Sequence, residues 1–193
     1  LPEPYESIVN QQLWGNIDAI YQHGYHKIRG KYLTMNNLFA NYFINIVSSI
    51  NYVPGLIERA NVLKYGVGVP MDLKKSFELY SQAASQNDQV ALYKLAICYL
   101  YGEGTPQDPN KAFEILKKCT YRESKFLLYF CLVNGIGCEA NEAKGMEYFQ
   151  KSLEEGSLLS NSIQAQTSGS EETLKFIASQ GIKWAICCSE PST

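Results

Sequence analysis

Apolar residues recur at helical spacing along most of this chain, in blocks broken by glycine. The clearest single stripe is Leu38, Phe39, Tyr42, Phe43, Ile46, Val47 and Ile50, at i, i+1, i+4, i+5, i+8, i+9 and i+12. Asn37, Asn41, Asn45 and Ser49 take the opposite face, which predicts an amphipathic helix that must bury its stripe. Such a stripe either packs on the following element as an N-terminal cap or presents part of its face to another protein. Upstream, Tyr5–Trp14 and Ile17–Gln22 read as short helices, and Gly24 and Gly30 interrupt the stretch between them and the stripe. Downstream, Ala91, Leu95, Cys98 and Tyr99 predict one helix, and Ala112, Phe113 and Leu116 a second. Leu73, Phe77 and Tyr80 repeat the second pattern earlier in the chain, and Met146, Tyr148 and Phe149 repeat it later.

These blocks are copies of one unit. Gly66-Val67-Gly68-Val69-Pro70-Met71-Asp72 and Gly102-Glu103-Gly104-Thr105-Pro106-Gln107-Asp108 share Gly, Gly, Pro and Asp at a spacing of 36 residues. Lys75, Phe77 and Glu78 line up with Lys111, Phe113 and Glu114. A third copy follows 33 residues later, with Gly135, Gly137, Asn141, Lys144 and Glu147. A period in the thirties is that of stacked helix pairs. The first glycine suits the left-handed position that ends a helix, and the second glycine and the proline keep the connector non-helical. Asp72, Asp108 and Asn141 stand where an N-cap belongs, and Pro109 stands at the first helical position. Each unit therefore reads as helix, tight turn and antiparallel helix, burying a core shared with its neighbours.

The pattern Ala-x3-Leu-Ala-x2-Tyr-x2-Gly-x-Gly-x3-Asp-x3-Ala, from Ala91 to Ala112, resembles the Sel-one-like repeat, a relative of the tetratricopeptide repeat. The first copy departs from it with Arg59 in the leucine slot and Leu63 in the tyrosine slot; the third has Tyr129 in a small-residue slot and no proline. The resemblance implies an all-α fold, an α-solenoid of antiparallel helix pairs in a right-handed superhelix. It implies an adaptor or scaffold role and supplies no catalytic residue. The expected organisation is an N-terminal helical cap over 1–54, three repeats over 55–156, a degenerate C-terminal helical cap over 157–188 and a tail over 189–193. Within that cap, Ser157–Gln166 and Glu171–Gln180 read as helices, and Ile182–Cys188 as a further helix or a strand.

Bulk properties narrow the function. The 193 residues carry a net charge of −2, with 46% hydrophobic and 19% charged residues, as expected of a folded protein. No basic field is present to hold a phosphate backbone, so nucleic acid is not an expected partner. The one small basic cluster, His26, Lys27, Arg29 and Lys31, reads as a solvated surface. The chain as given shows no signal peptide, and Leu38–Ile50 is too short and too interrupted to span a bilayer.

Six cysteines, Cys98, Cys119, Cys131, Cys138, Cys187 and Cys188, occur with only two histidines, His23 and His26. Cys98 and Cys131 occupy equivalent slots, four residues before the first glycine, where a small buried side chain fits. Reduced thiols in an intracellular compartment, cytoplasmic or mitochondrial, are expected. No metal cluster and no cofactor is expected from this spacing. The Gly-x-Gly pairs follow no strand and lack the third glycine of a nucleotide loop, and no Ser–His–acid or Cys–His set emerges.

What remains is surface. In helical-pair solenoids the first helices line the concave side, where partners bind. Positions the repeat does not require are Tyr93, Lys94, Ile97 and Tyr101 in the middle copy, then Phe126, Leu127, Phe130 and Asn134, and Ile57, Glu58, Asn61 and Tyr65 in the first. Of these, Tyr93, Lys94, Ile97, Tyr101, Phe126, Phe130 and Asn134 are the candidate contact residues; aromatics are favoured at protein contacts. The expectation is a non-catalytic adaptor that takes an extended segment or helix of another protein, with a small-molecule ligand not expected. The alternative is a mitochondrial assembly or redox factor holding metal or haem through cysteines.

Overall fold

The structure, a computed structural model, describes residues 44–46 and 48–167. The described residues form helices and short connectors: α1 (Val53–Tyr65), α2 (Leu73–Ala84), α3 (Gln89–Tyr101), α4 (Pro109–Lys118), α5 (Arg122–Asn134), α6 (Glu142–Glu154) and α7 (Leu158–Thr167). Residues 44–46, 48 and 49 are also helical. The chain divides into two compact units, residues 1–88 and 89–193. Most of the Leu38–Ile50 stripe and the basic cluster lie outside the described residues, as do Glu171–Gln180, the Ile182–Cys188 segment and the tail.

The three turns within the helix pairs close in the same way. The first glycines, Gly66, Gly102 and Gly135, have φ of 67°, 71° and 66°. The residues after them donate back to the helix: Val67 N–H to Val62 O at 3.0 Å, Glu103 to Cys98 at 3.0 Å and Ile136 to Cys131 at 2.9 Å. The second glycines are left-handed too, so both slots need a residue that tolerates positive φ. The N-caps are realised in every copy. Asp72, Asp108 and Asn141 accept from the backbone N–H groups of Lys75, Lys111 and Lys144 at 2.9, 3.0 and 2.9 Å. Their own N–H groups donate nine residues back, to Leu63, Tyr99 and Leu132. The recurring lysines are thus the residues whose backbone the cap engages.

Two boundaries differ from the sequence reading. Pro54 and Gly55, expected to separate elements, lie in the first turn of α1. A proline is tolerated there because first-turn N–H groups have no intrahelical acceptor. Cys119, three residues beyond Leu116 and in line with the apolar pattern of the second helix, is instead the extended residue that ends α4, with φ −79° and ψ 126°.

In the first unit, α1 and α2 bury Leu56, Ala60, Val62, Leu63, Tyr80, Ala83 and Ala84, with Ile44 also buried. Buried Ser76 donates its hydroxyl to Ala60 O at 2.8 Å. The Tyr80 hydroxyl donates to Asn61 Oδ1 at 2.6 Å, and Asn61 Nδ2 donates to Glu58 at 3.0 Å, so burial of the ring leaves no hydroxyl unanswered. In the second unit, one core runs through α3 to α7 and includes Ala96, Ile97, Leu116, Leu127, Tyr129, Cys131, Phe149 and Ile163. Tyr129, the large residue in a small slot, meets the Phe149 ring at 5.0 Å between centroids. Gly145 lets α6 lie close to the α5 backbone: a methyl there would lie 3.0 Å from Val133 Cγ2 and 3.3 Å from Tyr129 O. The outer helices α2, α4 and α6 bury one face and expose the other, whereas α3 and α5 are buried nearly all round.

Candidate protein-binding surface

Local chemistry places the candidate contact residues on α3 and α5, the first helices of two successive pairs in the second unit. Their surroundings divide them. Tyr93, Ile97, Phe126 and Phe130 are 5%, 2%, 3% and 8% exposed and belong to the core. Tyr93 meets the Tyr121 ring at 5.1 Å, and Phe126 meets Tyr129 and Phe149 at 5.9 and 6.5 Å. These four build the wall from within. Lys94 and Tyr101 are half-buried and Asn134 is exposed, its amide donating to Phe130 O at 2.9 Å. In the first unit Glu58 and Asn61 are tied into the Tyr80 network, while Tyr65 is exposed. Met71, which the repeat pattern did not single out, is the most exposed large apolar side chain of that turn.

Polar clasps, unseen in the sequence, link the start of each first helix to the turn about one repeat further on. Asn51 Oδ1 accepts from Gln82 and Gln86 at 2.8 and 3.1 Å. Gln89 Oε1 accepts from Thr120 N and Oγ1 at 2.8 and 3.0 Å, and Cys119 Sγ donates to Gln89 O at 3.3 Å. Buried Glu123 accepts from Ser157 Oγ at 2.5 Å and from Leu158 N at 3.0 Å, with Arg122 Nε at 3.4 Å. Ser157 in turn caps α7, accepting from Ser160 N at 3.2 Å. The only sequence trace is a polar residue near each first-helix start, with partners 31 to 35 residues away.

The chemistry on offer is limited. Cys98, Cys119 and Cys131 are buried and Cys138 is half-buried, and none of the four is in a disulfide. Burial, and then the neighbouring Cys138, push the Cys131 thiol up to about 12, which keeps it protonated and unreactive. Burial also raises Cys138, whose Sγ donates to Cys131 O at 3.5 Å, with Lys144 acting against the shift. Lys111 lies 4.4 Å from the Tyr99 ring centre, and the Tyr99 hydroxyl holds its pKa above the ordinary value. Among the described residues, no three His, Cys, Asp or Glu side chains gather to hold a metal ion. The redox alternative therefore gains no ligand set there; His23, His26, Cys187 and Cys188 lie outside the described residues. No described helix is long and apolar enough to cross a membrane.

Turns closed by paired left-handed glycines, capped second helices and, in the second unit, a core continuous from pair to pair define an α-helical repeat protein. Residues 56–88, 89–118 and 130–157 match the Sel1 repeat, and the chain carries three Sel1-like repeats in an α-solenoid fold. The third match begins inside α5, at the residue after Tyr129, where that copy departs from the pattern. A Sel1 repeat protein from Oxalobacter formigenes superimposes with a TM-score of 0.69 at 19% identity, covering 76% of this chain and 60% of that one. So does c5321, a protective antigen present in uropathogenic Escherichia coli strains that displays an SLR fold; the TM-score is 0.68 at 24% identity, covering 92% of this chain. The chain spans 60% and 39% of those two proteins. No curated protein matches the chain. Sel1 repeats generally mediate protein–protein interaction, and the fold is typically a non-catalytic scaffold.

Proposed function

We propose that this chain is a non-catalytic adaptor whose first helices in the second unit hold an extended segment or helix of a partner protein within a larger assembly. The observation that carries this is the division of labour on α3 and α5. Buried Tyr93, Ile97, Phe126 and Phe130 fix the wall, and Lys94, Tyr101 and Asn134 keep surface at positions the repeat leaves free. A rigid apolar wall with a few polar groups at its edge suits helix or strand capture, because the receptor orders little on binding. The thiols of Cys131 and Cys138, one buried and one half-buried, fit a reducing, intracellular setting.

The test is affinity capture from native cells with the full chain as bait, followed by mass spectrometry. A triple variant, Lys94→Glu with Tyr101→Ala and Asn134→Ala, is compared with the wild type after both give the same helical circular dichroism. Loss of a partner with the variant supports the surface. Equal recovery of every partner refutes it.

A further inference from the structure

Arg59 occupies a slot that belongs to a core leucine. It stands seven residues before the first glycine of its repeat, where the next two repeats place the buried Leu95 and Leu128. Its Nη1 is buried and has no hydrogen-bond partner among the described residues. The residues one turn away on its own helix, Gly55, Leu56, Val62 and Leu63, are buried and carry no charge. The adjacent acid is engaged elsewhere, since Glu58 Oε2 accepts from Asn61. Burial lowers the pKa of this guanidinium and no acid among the described residues opposes the shift, yet an arginine stays charged in proteins. A buried guanidinium nitrogen without an acceptor is costly, and an orphan of this kind in a folded protein calls for a partner.

We propose that Arg59 is the receptor for an oxyanion, a carboxylate or phosphate group, brought by a ligand of the first unit. The planar fork of a guanidinium matches two oxygens of such a group, and the Arg59 side chain as a whole is only half-buried. The repeat gives up its core leucine at this one position, a local departure of the kind that marks functional sites. The site belongs to the first unit and the surface proposed on α3 and α5 to the second, and the two proposals share no residue, so either can fail without the other.

The test uses the full chain at pH 7 and constant ionic strength, with chloride, acetate or inorganic phosphate as the anion. Thermal melts are followed by circular dichroism for the wild type, Arg59→Leu and Arg59→Lys. At about five times the dissociation constant, a bound anion raises the melting temperature of a chain this size by about 2–4 °C. The wild type is expected to show that rise over chloride in acetate, in phosphate or in both, which tells a carboxylate receptor from a phosphate receptor. Arg59→Leu is expected to melt above the wild type in chloride and to lose the rise; Arg59→Lys, without the fork, keeps part of it. In parallel, the side-chain N–H signal of Arg59, assigned by its absence in Arg59→Leu, should move on titration. The same rise in wild type and Arg59→Leu, no rise in the wild type, or failure of Arg59→Leu to fold would each overturn the proposal. The first of these is the outcome for general salt stabilisation.

Discussion

Gly137 sits directly against the Pro109 carbonyl. A β-carbon built on Gly137 would overlap the Pro109 oxygen and carbon and lie 2.9 Å from Asn110 N. The turn after α5 is thereby seated on the first residue of α4, one repeat earlier, and Gly137 also has φ of 69°. Gly137→Ala meets both obstacles, left-handed strain and overpacking, and should cost about 2–5 kcal/mol. Gly156 has φ of 72° but no atom within 4 Å of the same added carbon, so Gly156→Ala should cost only about 1–2 kcal/mol. Urea unfolding of both variants measures the difference, and equal losses would show that the Pro109 contact is unimportant.

The three N-caps should behave as independent, near-equal contributors. Asp72→Ala, Asp108→Ala and Asn141→Ala each remove one side-chain acceptor from a backbone N–H, at a cost of about 0.5–2 kcal/mol. Asp108 and Asn141 share no partner, so their double variant should lose the sum of the two single losses to within about 0.5 kcal/mol. Denaturant midpoints of the single and double variants check this.

Glu123 holds α7 by its N-terminus. Glu123→Ala leaves Ser157 Oγ and Leu158 N–H without their acceptor and should cost about 2–3 kcal/mol. The loss should be local, with amide hydrogen exchange accelerating over residues 158–163 while α3 and α4 keep their protection. Uniform acceleration through the second unit would show that α7 does not open by itself.

Cys131 sets a pH dependence. A thiol in the unfolded chain titrates near about 8.5, whereas folding pushes this one up to about 12. The unfolded state therefore releases its proton first. The stability that neutral Cys131 provides is complete below about pH 8.5 and drains away as pH rises toward about 12, by up to about 1.4 kcal/mol per pH unit. Cys131→Ala should be less stable at pH 7 but show a shallower decline in this window. Chemical denaturation at pH 7, 9 and 10 separates the two behaviours.

Much of this architecture was legible because its chemistry is local. A left-handed glycine, an Asp that caps the N–H three residues on and a helical apolar stripe each need only neighbours in sequence, and Gly102, Asp108 and Leu116 stand as expected. The candidate surface was less legible. An aromatic on an inner helix looks the same whether it meets a partner or the next repeat, and only packing separates buried Tyr93 and Phe130 from half-buried Tyr101. Tyr129 looked like a defect in the third copy until the Phe149 ring, on the second helix of the same pair, proved to pack against it. The Gln89 and Glu123 clasps escaped for the same reason, since their partners lie about one period distant.

Those clasps also bear on how such a chain can grow or shrink. Each reaches from the beginning of one pair to the threshold of the next, so a cut or insertion inside a pair breaks the clasp, and at Glu123 it strands a buried carboxylate. A whole pair added or removed hands the clasp to an equivalent neighbour. Length in this protein is therefore counted in complete repeats, and duplication at repeat boundaries is the change the fold accepts most readily.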